Sequence, residues 1–430
     1  MNKLITGSVA GLVIAGGAAA YMPIKVGDTV QTQLQQAVQS ANTQPGNTFQ
    51  IEILDYQKSA YSSEVITRIH LKDQTGAATH PDDYLELMHK IDHGISSATF
   101  KSEVVVTENI KEIVDKDFNG KVPLHFDGEV SMDKAVVNSY LDAFTLTPEG
   151  PQGGEIKVRP ANIRLTYQID QQQYLLQGTW NGADLNANSD HLTLGSLKVK
   201  ATGSQLSDYI WRYQSQINLA QFDFGNDTIN LNSQKLQLSD NFDIEENSEG
   251  ADSINYNSTI TLNSLSASQY QQSMLELKPS EISYVLSGPT VSATEALIEA
   301  SQQMQADQMT QQDAQKVFPL FADFMQMLNL DIHTLDLVTP DGSINGNLNL
   351  SLDANTQELL QAFSFAPLLA QFVMVNSDLN ISKSLVEKMS PLQALAAQLN
   401  QRGAYREVGE DMVLKARLKD GQLVLNDVSF

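Results

Sequence analysis

"INLNSQKLQL", Ile229–Leu238, sets apolar residues two apart with Asn and Gln between them. Side chains on a strand point to alternate faces, so each alternating run sets its apolar pair on one face, Ile229 with Leu231 and, after a change of phase, Leu236 with Leu238. The pattern returns in "LTLGSLKV" (Leu192–Val199), "INLAQFDF" (Ile217–Phe224) and "ITLNSLSA" (Ile260–Ala267). The likeness is loose and has no fixed period. It reads as a long meander of antiparallel strands joined by hairpins rather than as a repeat array.

Outward from these segments the alternation continues. It marks "FQIEILDY" (Phe49–Tyr56), "VITRIHL" (Val65–Leu71), Lys121–Met132, Glu155–Asp170, Gln173–Trp180, His191–Ala201, Ile210–Phe224, Thr228–Ser239 and Ser253–Leu265. "HPDDYLELMHKIDHG" (His80–Gly94) reads as helical or irregular. Gln31–Ser40 reads as a short helix ended by the turn signal "NTQPGNT". Longer helices enter late, from Thr294 to Lys316, in "VFPLFADFMQMLNL" (Val317–Leu330), and in Thr356–Met374 with a kink at Pro367. "SPLQALAAQLNQRG" opens with Ser390 as cap and Pro391 in the first turn. A hairpin turning at Asp420-Gly421 closes the chain.

The expected fold is α+β and predominantly antiparallel β, an elongated curled sheet with helices packed on it, after one N-terminal transmembrane helix. The expected division is residues 1–24 as anchor or signal peptide, 25–48 as a linker helix, 49–290 as a β-rich region, and 291–430 as a mixed region packing on the sheet.

Composition narrows the function. At 430 residues the chain exceeds what one core usually serves. A formal net charge of -24 argues against nucleic acid and anionic headgroups as docking surfaces. Cysteine is absent, which removes disulfides, thiolate nucleophiles, Cys-ligated metals and a lipid-modified N-terminal cysteine.

"KLITGSVAGLVIAGGAAAYM" (Lys3–Met22) differs from everything after it. Its stretch from Leu4 onward holds Leu4, Ile5, Val9, Leu12, Val13 and Ile14 without a charge, close to the ~20 residues a membrane-crossing helix needs. Lys3 sets a positive flank that places the bulk of the chain outside. Ala18-Ala19-Ala20 offers small residues at a cleavage site, so a removed signal peptide is the other reading. Gly7, Gly11, Ala15 and Ala19 fall four apart, a stripe that lets two membrane helices approach closely and form a homodimer.

Candidate chemistry is sparse. On a helix, His89 and His93 share a face, with Asp92 nearby, and could grip a zinc ion. "DKDFNG" (Asp115–Gly120) begins like a calcium loop, yet position twelve is Phe126 rather than a bidentate Glu. Asp184, Asn186, Asn188 and Asp190 make a second oxygen-rich stretch without the turn glycine. No G-x-S-x-G and no phosphate-binding glycine loop occurs, so no cofactor, catalytic residue or metal ligand is assigned.

"YQKSAYSSEV" and "IDHGISSA" resemble the YdgA-like family of bacterial envelope proteins, a domain of unknown function. The positions that match its short motifs are Tyr56, Ser59, Tyr61 and Ser63; His93 and Gly94; and Gly421, Leu423, Leu425 and Asn426 in the closing strand. Ser59 stands near a common family Gly, and Ile95 stands where Pro commonly follows His-Gly. The resemblance implies a single-span inner-membrane protein facing the periplasm, and it brings no catalytic activity. Gly94 is expected to permit a tight turn, and His93 to bond backbone at a sheet edge.

Together these readings describe a membrane-tethered periplasmic binding or scaffold protein without catalysis, holding a lipid or an extended polypeptide of the envelope on a sheet face. The rivals are a metal-assisted hydrolase using His89, Asp92 and His93, and a structural protein that self-associates through the small-residue stripe.

Overall fold

The computed structural model describes residues 34–35, 38–39, 41–42, 49–59, 61–71, 84–94, 96–148, 153–207, 209–246, 250–305, 311–364, 371–419 and 421–430. Strand outweighs helix, 63% against 19%, and the sheet is mostly antiparallel, so the class is α+β with β dominant. The chain divides into two compact units, residues 1–205 with 224–227, and residues 206–223 with 228–430. The late helices therefore share a unit with strands from the middle of the chain.

The first unit contains β1 (Phe49–Lys58), β2 (Ser62–Leu71), β3 (Tyr84–His93), β4 (Ser97–Val105), the helix α1 (Glu108–Asp117), β5 (Leu124–Ser131) and β6 (Lys134–Leu141). It continues with β7 (Phe144–Leu146), β8 (Gly154–Val158), β9 (Ala161–Gln168), β10 (Gln173–Trp180), β11 (Ala183–Ala187), β12 (Asp190–Leu194) and β13 (Leu197–Gln205). Neighbouring strands run β1-β2-β3-β4-β5-β6-β9-β10-β13, with β7-β8-β11-β12 as a second ladder. The breaks between the two ladders fall in register, at Asp142-Ala143, Arg159-Pro160, Asn181-Gly182 and Gly195-Ser196. They form one seam across four strands, bridged by Arg159 N–H to Gly182 O and Asn181 N–H to Pro160 O. Gly182 has φ +99°, and a Cβ there would collide with the Leu194 carbonyl oxygen, so glycine is required.

The segment read as helical or irregular is strand β3, a correction with a clear cause. "YLELMHKIDH" is built from helix formers, but Leu85, Leu87, His89, Ile91 and His93 also sit two apart. Hydrogen bonding to β2 on one side and β4 on the other decides for the strand. The core lies beneath α1, where Ile110 and Val114 pack on Ile51, Ile69, Leu85, Leu87, Leu124 and Phe126. Ile110 and Val114 stand four apart and so share one helix face. Full burial of each apolar side chain stabilises by ~1.5–3 kcal/mol. Helical backbone at 34–35, 38–39 and 41–42 adds Leu34 and Val38 to this side of the sheet. Asn42 clasps the edge strand, donating to Ile51 O and accepting from Ile51 N–H, both at 2.8 Å.

The second unit holds most of β14 (Trp211–Gly225), then β15 (Ile229–Glu246), β16 (Asp252–Leu262), β17 (Ser264–Gln269), β18 (Gln272–Leu277) and β19 (Ser280–Thr290). Next come the helices α2 (Val291–Gln305) and α3 (Gln311–Met327), β20 (Asn329–Thr339), β21 (Gly342–Leu352), α4 (Thr356–Ser364) and β22 (Val373–Ser382). The short helix α5 (Lys383–Lys388), α6 (Ser390–Gln401), β23 (Glu407–Val408), β24 (Asp411–Lys419), β25 (Gln422–Leu425) and β26 (Val428–Ser429) complete it. The opening segment "INLNSQKLQL" is the first half of β15, whose residues 229–234 pair with β17 and whose residues 237–246 pair with β16. Ser390 begins α6 but Met389 is its N-cap. α5 and α6 seal one end of this sheet through Leu385, Val386 and Leu399 on Ile381 and Met412.

Candidate functional site

The alternating pattern acts most clearly on β6, β9, β10 and β13. In register, Val137 opposes Leu165, which opposes Leu176, which opposes Ala201. The rows beside it are Ala135-Tyr167-Tyr174-Gly203 and Ser139-Ile163-Gly178-Val199. The opposite face of the same strands carries Asn162, Arg164, Gln177, Lys198 and Lys200, all exposed. The apolar rows lie on the side of α1, because Phe126 of the helix-covered core pairs with Ser139. Val130, Ala135 and Val137 are buried, with Leu165 and Tyr167 packed beside them. Beyond them, Tyr174, Leu176, Trp180, Leu197 and Val199 are only half-buried, and no residue of β10 or β13 belongs to a buried cluster. Among the described residues of this unit, α1 and the helical backbone at 34–35, 38–39 and 41–42 are the only helical elements. The apolar rows thus continue beyond the described helical residues of this unit. Burial raises the pKa of Tyr174, so its phenol stays neutral here.

At the other end of the same face lie three of the family-motif positions, Tyr56, Ser63 and His93. Tyr56 Oη and Ser63 Oγ are 3.0 Å apart, and Ser63 Oγ is 2.8 Å from His93 Nε2. His93 therefore bonds a hydroxyl rather than the expected backbone group. Four residues back along β3, His89 lies between Thr67 Oγ1 at 2.8 Å and Ser102 Oγ at 2.7 Å, one contact to each ring nitrogen. Burial pulls the His89 pKa down to about 4, so this imidazole is neutral. His93 is also held below its ordinary value, by burial first and by Lys58 second. Tyr61 is 80% exposed, Ser59 bonds the Ser62 backbone and hydroxyl, and Gly94 lets the β3–β4 turn close, since a Cβ would sit 2.7 Å from Ser97 O.

The chemistry these groups can perform is narrow. On strand β3 His89 and His93 do share a face, but Asp92 points to the other one and is exposed. Both His89 nitrogens already have partners, and among the described residues no group of three His, Asp or Glu could hold a metal. Ser63 and His93 have dyad spacing, but Ser63 is 4% exposed and also spans to Tyr56, which makes it a link between strands.

Asp115–Gly120 is the end of α1 rather than a calcium loop. Asp115 and Asp117 are helical, and Asn119 and Gly120 adopt φ +52° and +77° to close the helix, with Gly120 N–H bonded to Val114 O. Asp184 forms an ion pair with Arg159, and Asn186 pairs with Glu155 and His191 in the β8-β11-β12 ladder. At the closing strand, Gly421 takes φ +70° in the turn and Leu425 packs on the α5–α6 core. Leu423 pairs with Leu418. Asn426, 4% exposed, is a staple: Oδ1 accepts from Lys415 N–H at 2.7 Å, and Nδ2 donates to Ala404 O at 2.7 Å and Val413 O at 2.8 Å.

The positions named in the N-terminal run, Leu4 through Ala19, lie outside the described residues. Among the described residues no helix is long and apolar enough to cross a membrane. Thr67 and Ser102 carry no signal in the sequence, because a hydroxyl on a strand looks the same whether it faces water or a histidine.

Fold and site together define a β-dominated α+β protein whose first unit carries apolar rows on β9, β10 and β13 that none of its described helical residues covers. The chain belongs to the family described as "Bacterial protein of unknown function (DUF945)", whose sequence profile matches residues 1–430. Among curated proteins no sequence matches it.

Proposed function

We propose that this chain is a non-catalytic binding protein of the bacterial envelope that holds the acyl chain of a lipid along the apolar face of β6, β9, β10 and β13. The observation that carries this reading is the row Leu165-Leu176-Ala201, apolar across three strands, over which no described helix of the first unit packs. An eight-residue strand such as β9 spans about 26 Å, against ~15 Å for half of a bilayer's hydrocarbon core, so an acyl chain can lie along it. A polypeptide laid on that face would press unpaired backbone amides against Leu and Val, at ~1–3 kcal/mol per group. That favours the lipid over the peptide.

The membrane tether belongs to the same proposal. It is supported by the uncharged run after Lys3 and by the resemblance to YdgA-like inner-membrane proteins facing the periplasm. Association through Gly7, Gly11, Ala15 and Ala19 would pair two such tethers.

The test is mass spectrometry of lipid extracted from the purified full chain and from Leu176→Lys and Gln177→Lys. Leu176→Lys puts a charge on the apolar face and is expected to abolish lipid recovery with the circular dichroism spectrum unchanged. Gln177→Lys, on the polar face, is expected to change nothing. A parent protein free of lipid, or equal recovery from folded Leu176→Lys, refutes the reading.

A further inference from the structure

In the second unit, one face of β15 carries Leu238, Phe242 and Ile244, with the charged Asp240 set among them and Glu246 at the strand's end. Asp240 opposes Ser258 of β16, which opposes Tyr284 of β19, so a carboxylate, a hydroxyl and a phenol form one row. The carboxylate accepts hydrogen bonds from Tyr256 Oη at 2.9 Å and Ser215 Oγ at 3.2 Å. Both donors are neutral. Among the described residues no Lys, Arg or His pairs with Asp240, whereas Asp243, on the opposite face, lies 2.6 Å from Arg212.

Aromatic rings gather on the same face. Tyr256 and Tyr284 meet nearly edge to face with centroids 6.1 Å apart, and Tyr213 stacks on Phe242 at 5.8 Å. Burial, and next the bond to Asp240, raise the Tyr256 pKa, so the phenol keeps its proton and remains a donor. Two hydroxyls spread the negative charge of a carboxylate without cancelling it. On an apolar face such a charge is costly until a cation arrives. Ring faces attract that cation further, most strongly when it is an ammonium too bulky to be well hydrated.

We propose that Asp240, with the rings of Tyr213, Phe242, Tyr256 and Tyr284, is a binding site for an organic ammonium group, the head of a cationic or zwitterionic amphiphile. The tail would follow the neighbouring side chains Leu238, Ile260 and Ile282, on strands other than those of the acyl-chain reading, so the proposal goes beyond that reading and does not depend on it.

The experiment is calorimetric titration of the full chain with decyltrimethylammonium, decyl sulfate and decanol, below micelle formation and at about 0.3 M salt to screen the distributed surface charge. Decyltrimethylammonium is expected to bind at least tenfold more tightly than decanol, and decyl sulfate more weakly than both. Asp240→Asn should remove the ammonium preference, and Asp243→Asn, which deletes the same charge from the opposite face, should leave it intact. Tyr284→Leu, which keeps the carboxylate, should reduce the preference severalfold without changing decanol affinity. An ammonium preference that survives in Asp240→Asn, or that falls equally in Asp243→Asn, overturns the proposal. Equal binding of decanol and the ammonium ends this proposal but leaves the acyl-binding reading standing. Ammonium binding that needs Asp240, without decanol binding, does the reverse.

Discussion

Replacing Asn426 by Ala tests whether one buried amide fastens the end of the second unit. The substitution deletes the bonds to Lys415 N–H, Ala404 O and Val413 O, and leaves those backbone groups inside the protein. Each buried group stripped of its partner costs ~1–3 kcal/mol. Asn426 also sits at φ +47°, where Ala is disfavoured by ~1–2 kcal/mol relative to a residue that tolerates the left-handed region. The sum is a loss of about 4 kcal/mol or more, a large share of a typical domain's ~5–15 kcal/mol. Urea unfolding followed by tyrosine and tryptophan fluorescence reads the loss. Amide hydrogen exchange at Lys415 localises it, with an expected acceleration of ~100-fold or more. Asn426→Gly frees the backbone but not the bonds, and should recover only ~1 kcal/mol of it. An Ala variant within about 1 kcal/mol of the parent, with Lys415 still protected, would refute the staple.

His89 makes the first unit acid-sensitive. Its folded pKa of about 4 lies below the ~6.5 of an unfolded histidine, so the unfolded chain binds the extra proton between those values and stability falls as pH drops from 6.5 to 4. The loss approaches about 3 kcal/mol, and His89→Gln should flatten that part of the pH profile. Gly182→Ala should be severe, since it adds a collision with Leu194 O to an unfavourable φ. Gly403→Ala, at φ +70° with open space around it, should cost only ~1 kcal/mol by thermal unfolding. Elemental analysis should find no stoichiometric zinc, because Thr67 and Ser102 hold the His89 nitrogens. Intact-mass measurement should find the N-terminal run retained, and a mature chain beginning at Tyr21 would replace the tether by a signal peptide.

Strand identity was legible wherever alternation was clean, as in β9 and β13, and hidden where residue type pulled against it. β3 is written in helix formers and is a strand because two neighbours claim its backbone. α1, "ENIKEIVDKD", has only Ile110 and Val114 buried, and so short a stripe does not stand out between charged residues. The motif positions Tyr56, Ser63 and His93 could be picked out individually, but their convergence depends on β2 lying between β1 and β3. The same holds for Asp240, which looks like any acidic loop residue until register sets it beside Ser258 and Tyr284.

The seam at residues 142–143, 159–160, 181–182 and 195–196 also governs how this sheet tolerates changes of chain length. A one-residue insertion within a strand turns every side chain beyond it to the wrong face. An insertion in one of the four breaks would still shift that strand's β7-β8-β11-β12 segment against neighbours that have not moved. The four short spacers are thus coupled, and a change in one calls for matching changes in the other three. Length variation is expected instead in the hairpin loops at the free ends of the ladders, where an added residue disturbs no register.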